Sequence, residues 1–338
     1  MRAVLTFLLL FTLVLPLASQ AVILKIATLA PDGGSWMMQM RNGAKEIQQK
    51  TNNRVKFKFY PGGIMGNEKS VLRKMRIGQL QGAALTTSGL ARISPDSQMY
   101  SLPLRFRSFS EVDYVREHMD DQIIKSLDKK GYISFGLAEG GFSYLMSQTP
   151  IYRASDLRKQ KVWAPEGDVI SMTLLDKLGI SPVPLPLTDV LTGLQTSLIT
   201  TVGSTPTFTL ALQWHSKLKY VNSMPLFYSS GSVVISKKAF MKIKPEDQKI
   251  VRDIMTRTFK ILNKRSREDN IKAKQALIKQ GIKYINPSAE DKKELRAAAD
   301  KAIQTLIKDK VYSKAMLKAI DTHLATYRKK HPVTATGN

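Results

Sequence analysis

Two periods of apolar residues alternate along the first two thirds of the chain. Short apolar runs of strand length, at 22–28 and 55–60, are followed by segments whose apolar residues recur at helical spacing. Ser35 stands where a residue would cap the first of these helices. Strands that alternate with helices of roughly 10–15 residues predict an α/β architecture with a largely parallel sheet.

The last third of the chain is predicted to be mostly helical. Residues 245–280 form one helical pattern whose apolar stripe is interrupted at 264–272, where nearly every residue is polar. A helix with apolar ends and a polar centre is expected to bridge two lobes across their shared back, with its centre in solvent. A capping sequence at Ser288 predicts the start of a further helix.

The N-terminus has the pattern of a secretory signal peptide. Arg2 precedes an apolar run, and Ser19 and Ala21 provide the small residues of a cleavage site. The run is short for the roughly 20 residues that a membrane span needs. We therefore expect cleavage after Ala21 and a mature protein in the periplasm.

The charge of the chain is strongly basic, with 52 Lys and Arg residues against 27 Asp and Glu. Half of the basic residues lie between Lys237 and the C-terminus. Such a charge is typical of proteins that bind nucleic acid or an anionic surface. The export signal argues against nucleic acid as a partner. Two interpretations stay open: a solvated cationic surface, or attraction to anionic phospholipid head groups.

The motifs of common enzymes and metal sites are absent from the sequence. It has no nucleophile elbow, phosphate-binding loop, dinucleotide fingerprint or H-E-x-x-H helix. It has no cysteine, and its four histidines, at 118, 215, 323 and 331, lack metal-ligand spacing. We expect no catalytic activity, no cofactor and no metal.

Four strand-to-helix junctions are candidate binding loops. They lie at 33–36, 66–68, 86–89 and 164–168. Ligands of open α/β sheets bind beyond the carboxyl ends of the strands, at such junctions. Two lobes that each present loops to a shared cleft would close on a ligand by a hinge motion. Candidate ligand-binding residues at these junctions are Trp36, Glu68, Ser88 and Glu166. The two glutamates are interpreted either as helix-capping carboxylates or as ligand contacts.

Several motifs in collinear order resemble those of one family. They are Leu29-Ala-Pro with Ser35-Trp36, Tyr60-Pro-Gly-Gly63, Gly140-Gly-Phe142, Lys161-Val-Trp-Ala-Pro-Glu166 and Leu194-Gln-Thr196. Together they resemble the DctP-like solute-binding proteins of tripartite ATP-independent periplasmic (TRAP) transporters, over residues 23–280. The resemblance implies a two-lobed α/β periplasmic binding protein with hinge strands and a long helix spanning both lobes.

The resemblance also implies that this chain departs from the family at its charged positions. The arginine that grips a substrate carboxylate in that family corresponds to Trp163, and a second arginine to Ser143. The family's aspartate corresponds to Thr200, and its nearby asparagine is replaced within 203–206. Simple dicarboxylates and sialic acids are therefore not expected as ligands. Trp163 is interpreted either as a packing residue or as a pocket wall. Further candidates for the pocket are Ser204, Phe208 and Trp214.

These observations predict a division of the chain and a function. Expected are a signal peptide (1–21), lobe I (22–145 and 232–245), lobe II (146–231), a spanning helix (246–280), C-terminal helices (281–331) and a disordered tail (332–338). Hinges are expected near 143–147 and 231–236. The chain is predicted to capture a small ligand and deliver it to inner-membrane transporter subunits. The alternative is a periplasmic carrier of a lipid or hydrophobic compound, linked to efflux or lipid trafficking.

Overall fold

The computed structural model describes residues 21–332, so the predicted signal peptide and tail fall almost wholly outside the described residues. The strands are β1 (Val22–Ala27), β2 (Val55–Tyr60), β3 (Gly82–Thr86), β4 (Tyr132–Ser134), β5 (Ala138–Ser147), β6 (Trp163–Pro165), β7 (Val183–Leu185), β8 (Thr201–Ser204), β9 (Tyr220–Ser236) and β10 (Lys283–Ile285). The α-helices are α1 (Ser35–Lys50), α2 (Glu68–Arg76), α3 (Thr87–Ala91), α4 (Phe109–Lys129), α5 (Ala154–Leu157), α6 (Val169–Lys177), α7 (Val190–Gln195), α8 (Pro206–Ala211), α9 (Lys237–Phe240), α10 (Pro245–Lys279), α11 (Ala289–Lys308) and α12 (Lys314–Lys330).

The main sheet is mixed, with the order β2-β1-β3-β9-β5-β8, and with β4 and β10 also paired to β9. β1 is parallel to β2 and β3, whereas β9 runs antiparallel to β3, β4 and β5. β6 and β7 form a separate parallel pair. The prediction of a largely parallel sheet is therefore wrong at the centre, because the long strand β9 runs opposite to both of its neighbours, β3 and β5.

Strands β5 and β9 cross from one lobe to the other. The C-terminal part of β9 pairs with β3 in the first lobe, while its N-terminal part pairs with β10 in the second. β5 pairs with β9 along its length and with β8 over 144–147. Register shifts interrupt the β5–β9 pairing after Glu139, Ser143 and Tyr144. Such irregularities bend a strand pair, so the crossing is curved where the lobes meet.

Separate apolar cores stabilise the two lobes. In the first lobe, α1 and the N-terminal half of α10 cover one sheet face, and α2 and α3 contribute to a second core. In the second lobe, one core lies among α5, α6 and α11, and another includes Trp163 and Trp214. A fifth core joins α4, α11 and α12 beside the crossing strands. None of the helices within residues 21–332 has the length and apolar character needed to cross a membrane.

The predicted helix caps were right at one position and wrong at another. Ser288 caps α11, since its hydroxyl accepts a hydrogen bond from the Asp291 amide at 3.1 Å. Ser35 does not cap α1, where Gly34 holds the cap position. The Ser35 hydroxyl instead donates to the Asp269 carboxylate at 2.6 Å, and so ties the first turn of α1 to the middle of α10.

Helix α10 spans both lobes, as its apolar ends predict. Residues from Val251 to Leu262 pack in a core of the first lobe, and Leu277 packs in a core of the second. The expectation that its polar centre stays in solvent is right for the outer face, which includes the exposed Lys264 and Lys272, and wrong for the face that meets β5. Ser266 donates to the Glu139 carbonyl at 2.6 Å, and Asn270 donates to the Gly140 carbonyl at 2.9 Å. The centre is polar because it binds the exposed backbone of the irregular strand β5.

A buried carboxylate lies at the point where α10, α4 and the crossing strands meet. The Glu139 side chain is only 1% exposed. It accepts hydrogen bonds from Arg267 at 2.7 and 2.8 Å and from the Tyr228 hydroxyl at 3.0 Å. Arg116 lies 4.0 Å away and donates to the same Tyr228 oxygen at 3.0 Å. Two cations and a phenol therefore compensate one buried charge.

We expect Glu139→Ala to lower the free energy of unfolding by about 1–3 kcal/mol, because the buried Tyr228 hydroxyl loses its acceptor, whereas Arg267 keeps its pair with Asp113. Urea denaturation monitored by circular dichroism measures the change. Asp32→Ala is the matched control, since it breaks an exposed pair with Arg41 and is expected to cost less than about 1 kcal/mol. Equal losses in the two variants would contradict the prediction.

Candidate functional site

A cavity of about 380 Å³ lies between the two lobes. Each of the four predicted junctions contributes residues to its wall, which confirms their position at the carboxyl ends of the strands. The crossing strands β5 and β9 form its base, and the polar centre of α10 closes one side. Most of the wall is apolar, with hydroxyl groups distributed around it. This composition is typical of a small-molecule site.

Nine of the ten predicted residues line this cavity. They are Trp36, Glu68, Ser88, Ser143, Trp163, Glu166, Ser204, Phe208 and Trp214. Thr200 does not line it. Its hydroxyl donates to Gln160 and accepts from the Lys161 amide, both at 3.0 Å. β8 runs from Thr201 toward the cleft, so Thr200 lies at the opposite end of that strand.

Trp163 is both a packing residue and part of the cavity wall. Its side chain is buried, and its indole nitrogen donates to the Leu185 carbonyl at 3.0 Å. Its ring meets the ring of Trp214 edge to face, with centroids 5.5 Å apart. Trp163 therefore packs in a core of the second lobe and also forms part of the cavity wall. Phe208, by contrast, is 39% exposed and presents an apolar ring to the cleft.

Glu68 binds Thr86, the residue that caps the neighbouring helix α3. Its carboxylate accepts hydrogen bonds from the Thr86 amide at 2.6 Å and from the Thr86 hydroxyl at 2.9 Å, at the start of α3. Burial raises the pKa of this carboxyl, whereas the bonds from Thr86 and the charge of Arg92 lower it. Gly89 makes the approach possible, because a Cβ there would lie 2.4 Å from a Glu68 oxygen.

Two contacts join the lobes across the mouth of the cavity. Arg92 of the first lobe donates to the Glu166 carbonyl at 2.6 Å, and Lys69 lies 3.9 Å from the Glu166 carboxylate. Burial raises the pKa of the Asp168 carboxyl, which caps α6, and the hydrogen bonds that it accepts from Ser171 and Ile170 oppose that shift. The lobes are therefore in contact, as in a closed conformation.

The base of the cavity carries hydroxyl groups beside the ion-paired carboxylate of Glu139. Ser143 and Ser229 hydrogen-bond each other at 2.7 Å across β5 and β9. The Thr207 hydroxyl is buried without a hydrogen-bond partner among the described residues, although buried polar groups are nearly always paired. Sequence reasoning missed Thr207, because a threonine in the first turn of a short helix carries no distinguishing signal. It also missed Asp269, which lines the cavity from α10.

The histidines do not form a metal site. His118 and His323, distant in sequence, meet between α4 and α12 with ring centroids 4.7 Å apart. Burial and the neighbouring His118 lower the pKa of His323. Within the described part of the chain, no group of three or more histidine or acidic side chains is placed to hold a metal ion.

Comparison with known proteins identifies the family. The model of the family described as "Bacterial extracellular solute-binding protein, family 7", or DctP, matches residues 26–310. The chain belongs to this family. It is thus a solute-binding receptor of the TRAP type, in a family of binding proteins and not of enzymes. The expected two-lobed α/β fold is confirmed by solved TRAP binding proteins.

Three similar proteins illustrate the relationship. The 2,3-diketo-L-gulonate-binding periplasmic protein YiaO of Escherichia coli is 23% identical over 278 residues, which cover 81% of this chain and 84% of YiaO. The uncharacterized protein YiiZ of Salmonella typhimurium is 24% identical over 61% of this chain, and the match spans 64% of YiiZ. A TRAP binding protein of Haemophilus influenzae, solved with bound L-gulonate, superposes with a TM-score of 0.82 at 20% identity, covering 89% of this chain and 99% of that one.

We expect Gly89→Ala to lower the free energy of unfolding by about 1–3 kcal/mol, because the added methyl displaces Glu68 from Thr86. Chemical denaturation measures the loss. Gly203→Ala is the control, since Gly203 also lines the cleft but has no atom within 4 Å of an added Cβ. That variant is expected to stay within about 0.5 kcal/mol of wild type. A Gly89 variant as stable as wild type would show that the close approach to Glu68 is unimportant.

Proposed function

We propose that this chain is exported by a signal peptide cleaved after Ala21 and acts in the periplasm as the receptor of a TRAP transport system. Its ligand is a neutral or largely apolar small solute, captured between the lobes and passed to the inner-membrane subunits of the transporter. Simple dicarboxylates and sialic acids are excluded as physiological ligands.

The observation that carries this proposal is the absence of a buried cation from the cavity wall. Among the described residues that line the cavity, the cations are Lys69, Arg92 and Arg265, and all three are exposed. Arg92 is engaged with the Glu166 carbonyl. At Trp163, where the family resemblance places an arginine, the wall is an indole. A bidentate arginine is the strong, geometrically specific partner of a carboxylate.

The ligands of these two relatives are sugar acids, namely 2,3-diketo-L-gulonate for YiaO and L-gulonate for the Haemophilus protein. A sugar acid has a carboxylate that loses its hydration when the lobes close on it. Without a cation in the closed site, most of that loss is not recovered, at a cost of several kcal/mol. We therefore propose that this chain differs from those relatives in the charge of its ligand.

Ligand capture requires the two lobes to move relative to each other. We place the moving bodies at 22–145 with 232–245, and at 146–231, with 246–280 spanning both. The hinges lie near 143–147, where the β5–β9 register is irregular, and near 231–236. Contacts from Arg92 and Lys69 to Glu166 stabilise the closed arrangement. A ligand drives closure to the extent that it binds the closed state better than the open one.

The size of the cavity favours a small solute over the alternative of a lipid carrier. At about 380 Å³ it is near the lower end of the range for small-molecule sites. The basic C-terminal helices remain available for attraction to the anionic membrane surface on which the transporter lies. This attraction would bring the receptor to its partner without requiring a lipid ligand.

We expect succinate, malate and sialic acid to bind no more tightly than millimolar, because the cost of an unpaired enclosed carboxylate weakens a micromolar site by about tenfold for every 1.4 kcal/mol. Isothermal titration of protein freed of its native ligand measures the affinities. Native mass spectrometry of protein purified without denaturation identifies a retained ligand as the positive control. Micromolar binding of succinate would refute the proposal.

We expect protein that retains its ligand to have a smaller radius of gyration than protein stripped by unfolding and refolding, because binding closes the lobes. Small-angle scattering compares the two preparations. Arg92→Ala, which removes a contact of the closed state, is expected to reduce the compaction. Identical radii for loaded and stripped wild-type protein would contradict closure.

A further inference from the structure

The cavity between the lobes does not end at the cleft. Its wall includes residues of the second-lobe core that are almost completely buried, among them Leu157 and Val162, each 1% exposed. Leu295 of α11 belongs to the same wall, although α11 lies behind α6 as seen from the cleft. The cavity therefore extends from the cleft into the interior of the second lobe. We call this extension the apolar arm.

One face of α6 forms the length of the apolar arm. Ile170, Leu174 and Leu178 line it at four-residue spacing, with Ser171 and Leu175 beside them. At 1.5 Å per residue, the eight steps from Ile170 to Leu178 span about 12 Å. The N-terminus of α6 lies at the mouth of the cleft, where its cap residue Asp168 lines the cavity beside Glu166. The arm thus begins at the site and leads away from it.

The remaining walls of the apolar arm are also apolar. Leu145 and Leu226 come from the crossing strands, and Leu157, Val162 and Leu295 from the second lobe. No charged side chain lies among these lining residues, and the hydroxyl of Ser171 is bonded to Asp168. Cavities with walls of this kind stay dry and bind apolar groups. Water gains too few hydrogen bonds there to fill the space.

The base of the cleft, at the end of the cavity away from the apolar arm, is polar. The unpartnered Thr207 hydroxyl and the Ser143–Ser229 pair lie at the base of the cleft. These groups can donate to and accept from a neutral polar group. A polar base and a dry arm in one continuous cavity fit a molecule with two chemically different ends.

The geometry points to an amphipathic ligand whose neutral polar head binds at Thr207 and Ser143, and whose alkyl or aryl arm enters the second lobe along α6. This inference rests on the proposed receptor function and specifies its ligand class. Leu174, Leu175 and Leu178 then set the length and width of the arm that the receptor accepts.

A series of neutral probes tests the inference: butanamide, hexanamide and octanamide, titrated against ligand-stripped wild-type protein. Affinity is expected to rise about fourfold for each added methylene, the value for complete transfer of a CH₂ group out of water. The rise should stop once the chain fills the arm. Equal dissociation constants for butanamide and octanamide would overturn the inference and leave the receptor function standing.

Two variants separate binding in the arm from adsorption elsewhere. Leu174→Trp fills the middle of the arm, so octanamide should bind only as tightly as butanamide does. Met172→Trp is the matched control on the same helix, because Met172 packs against this core without lining the cavity, and it should keep the chain-length dependence. Octanamide affinity unchanged in Leu174→Trp would overturn the inference.

A third variant guards against loss of folding in Leu174→Trp. Leu178→Phe narrows only the far end of the arm, so it should weaken octanamide and spare butanamide. Circular dichroism confirms the fold of each variant before titration. If no amide binds while succinate binds at micromolar concentration, the proposed function itself fails, and this inference with it.

Discussion

The buried charge of Glu139 is the constraint on which the rest of the molecule depends. Its carboxylate lies on a crossing strand and is held by Arg267 of the spanning helix and Tyr228 of the second crossing strand. A charge so deeply enclosed is tolerated only with full compensation, so these elements have to meet in one arrangement. The backbone around Glu139 is irregular, and Ser266 binds its carbonyl. The point where the lobes join is thus specified by polar contacts, whereas each lobe is stabilised by its own apolar core.

Three acidic residues of the cavity wall are engaged in hydrogen bonds within the protein. Glu68 is bonded to Thr86, Asp168 caps α6, and Asp269 accepts from Ser35. Their oxygens are already occupied, which leaves hydroxyl groups and apolar surface to meet the solute. Five carboxylates line the cavity wall whereas its cations are exposed, so the closed interior is acidic in character. An acidic interior without a buried cation disfavours ligands that carry a negative charge.

The sequence predicted the helices and strands better than it predicted their direction and the contacts around them. The helix at Pro245–Lys279 was recognised from the helical spacing of its apolar residues, which lie at its two ends. These ends contact different cores. Strand direction was not, because the two-residue period of β9 is the same in parallel and antiparallel sheets. Thr200 was assigned to the site and Thr207 was not, since only the fold shows which end of β8 faces the cleft. The leucines of α6 have the spacing of ordinary core residues, and a cavity behind them leaves no trace in the pattern.

The contact between Arg92 and the Glu166 carbonyl affects how much of the empty receptor is closed. It involves a backbone oxygen and no ligand atom, so it stabilises the closed lobes whether or not they enclose a solute. Each such contact raises the fraction of empty receptor that is closed. In the transport cycle proposed above, an empty closed receptor would compete with loaded ones for the transporter and deliver nothing. A stronger contact would raise the number of unproductive encounters between empty receptor and transporter. In the proposed cycle, this sets an upper limit on the strength of the contact.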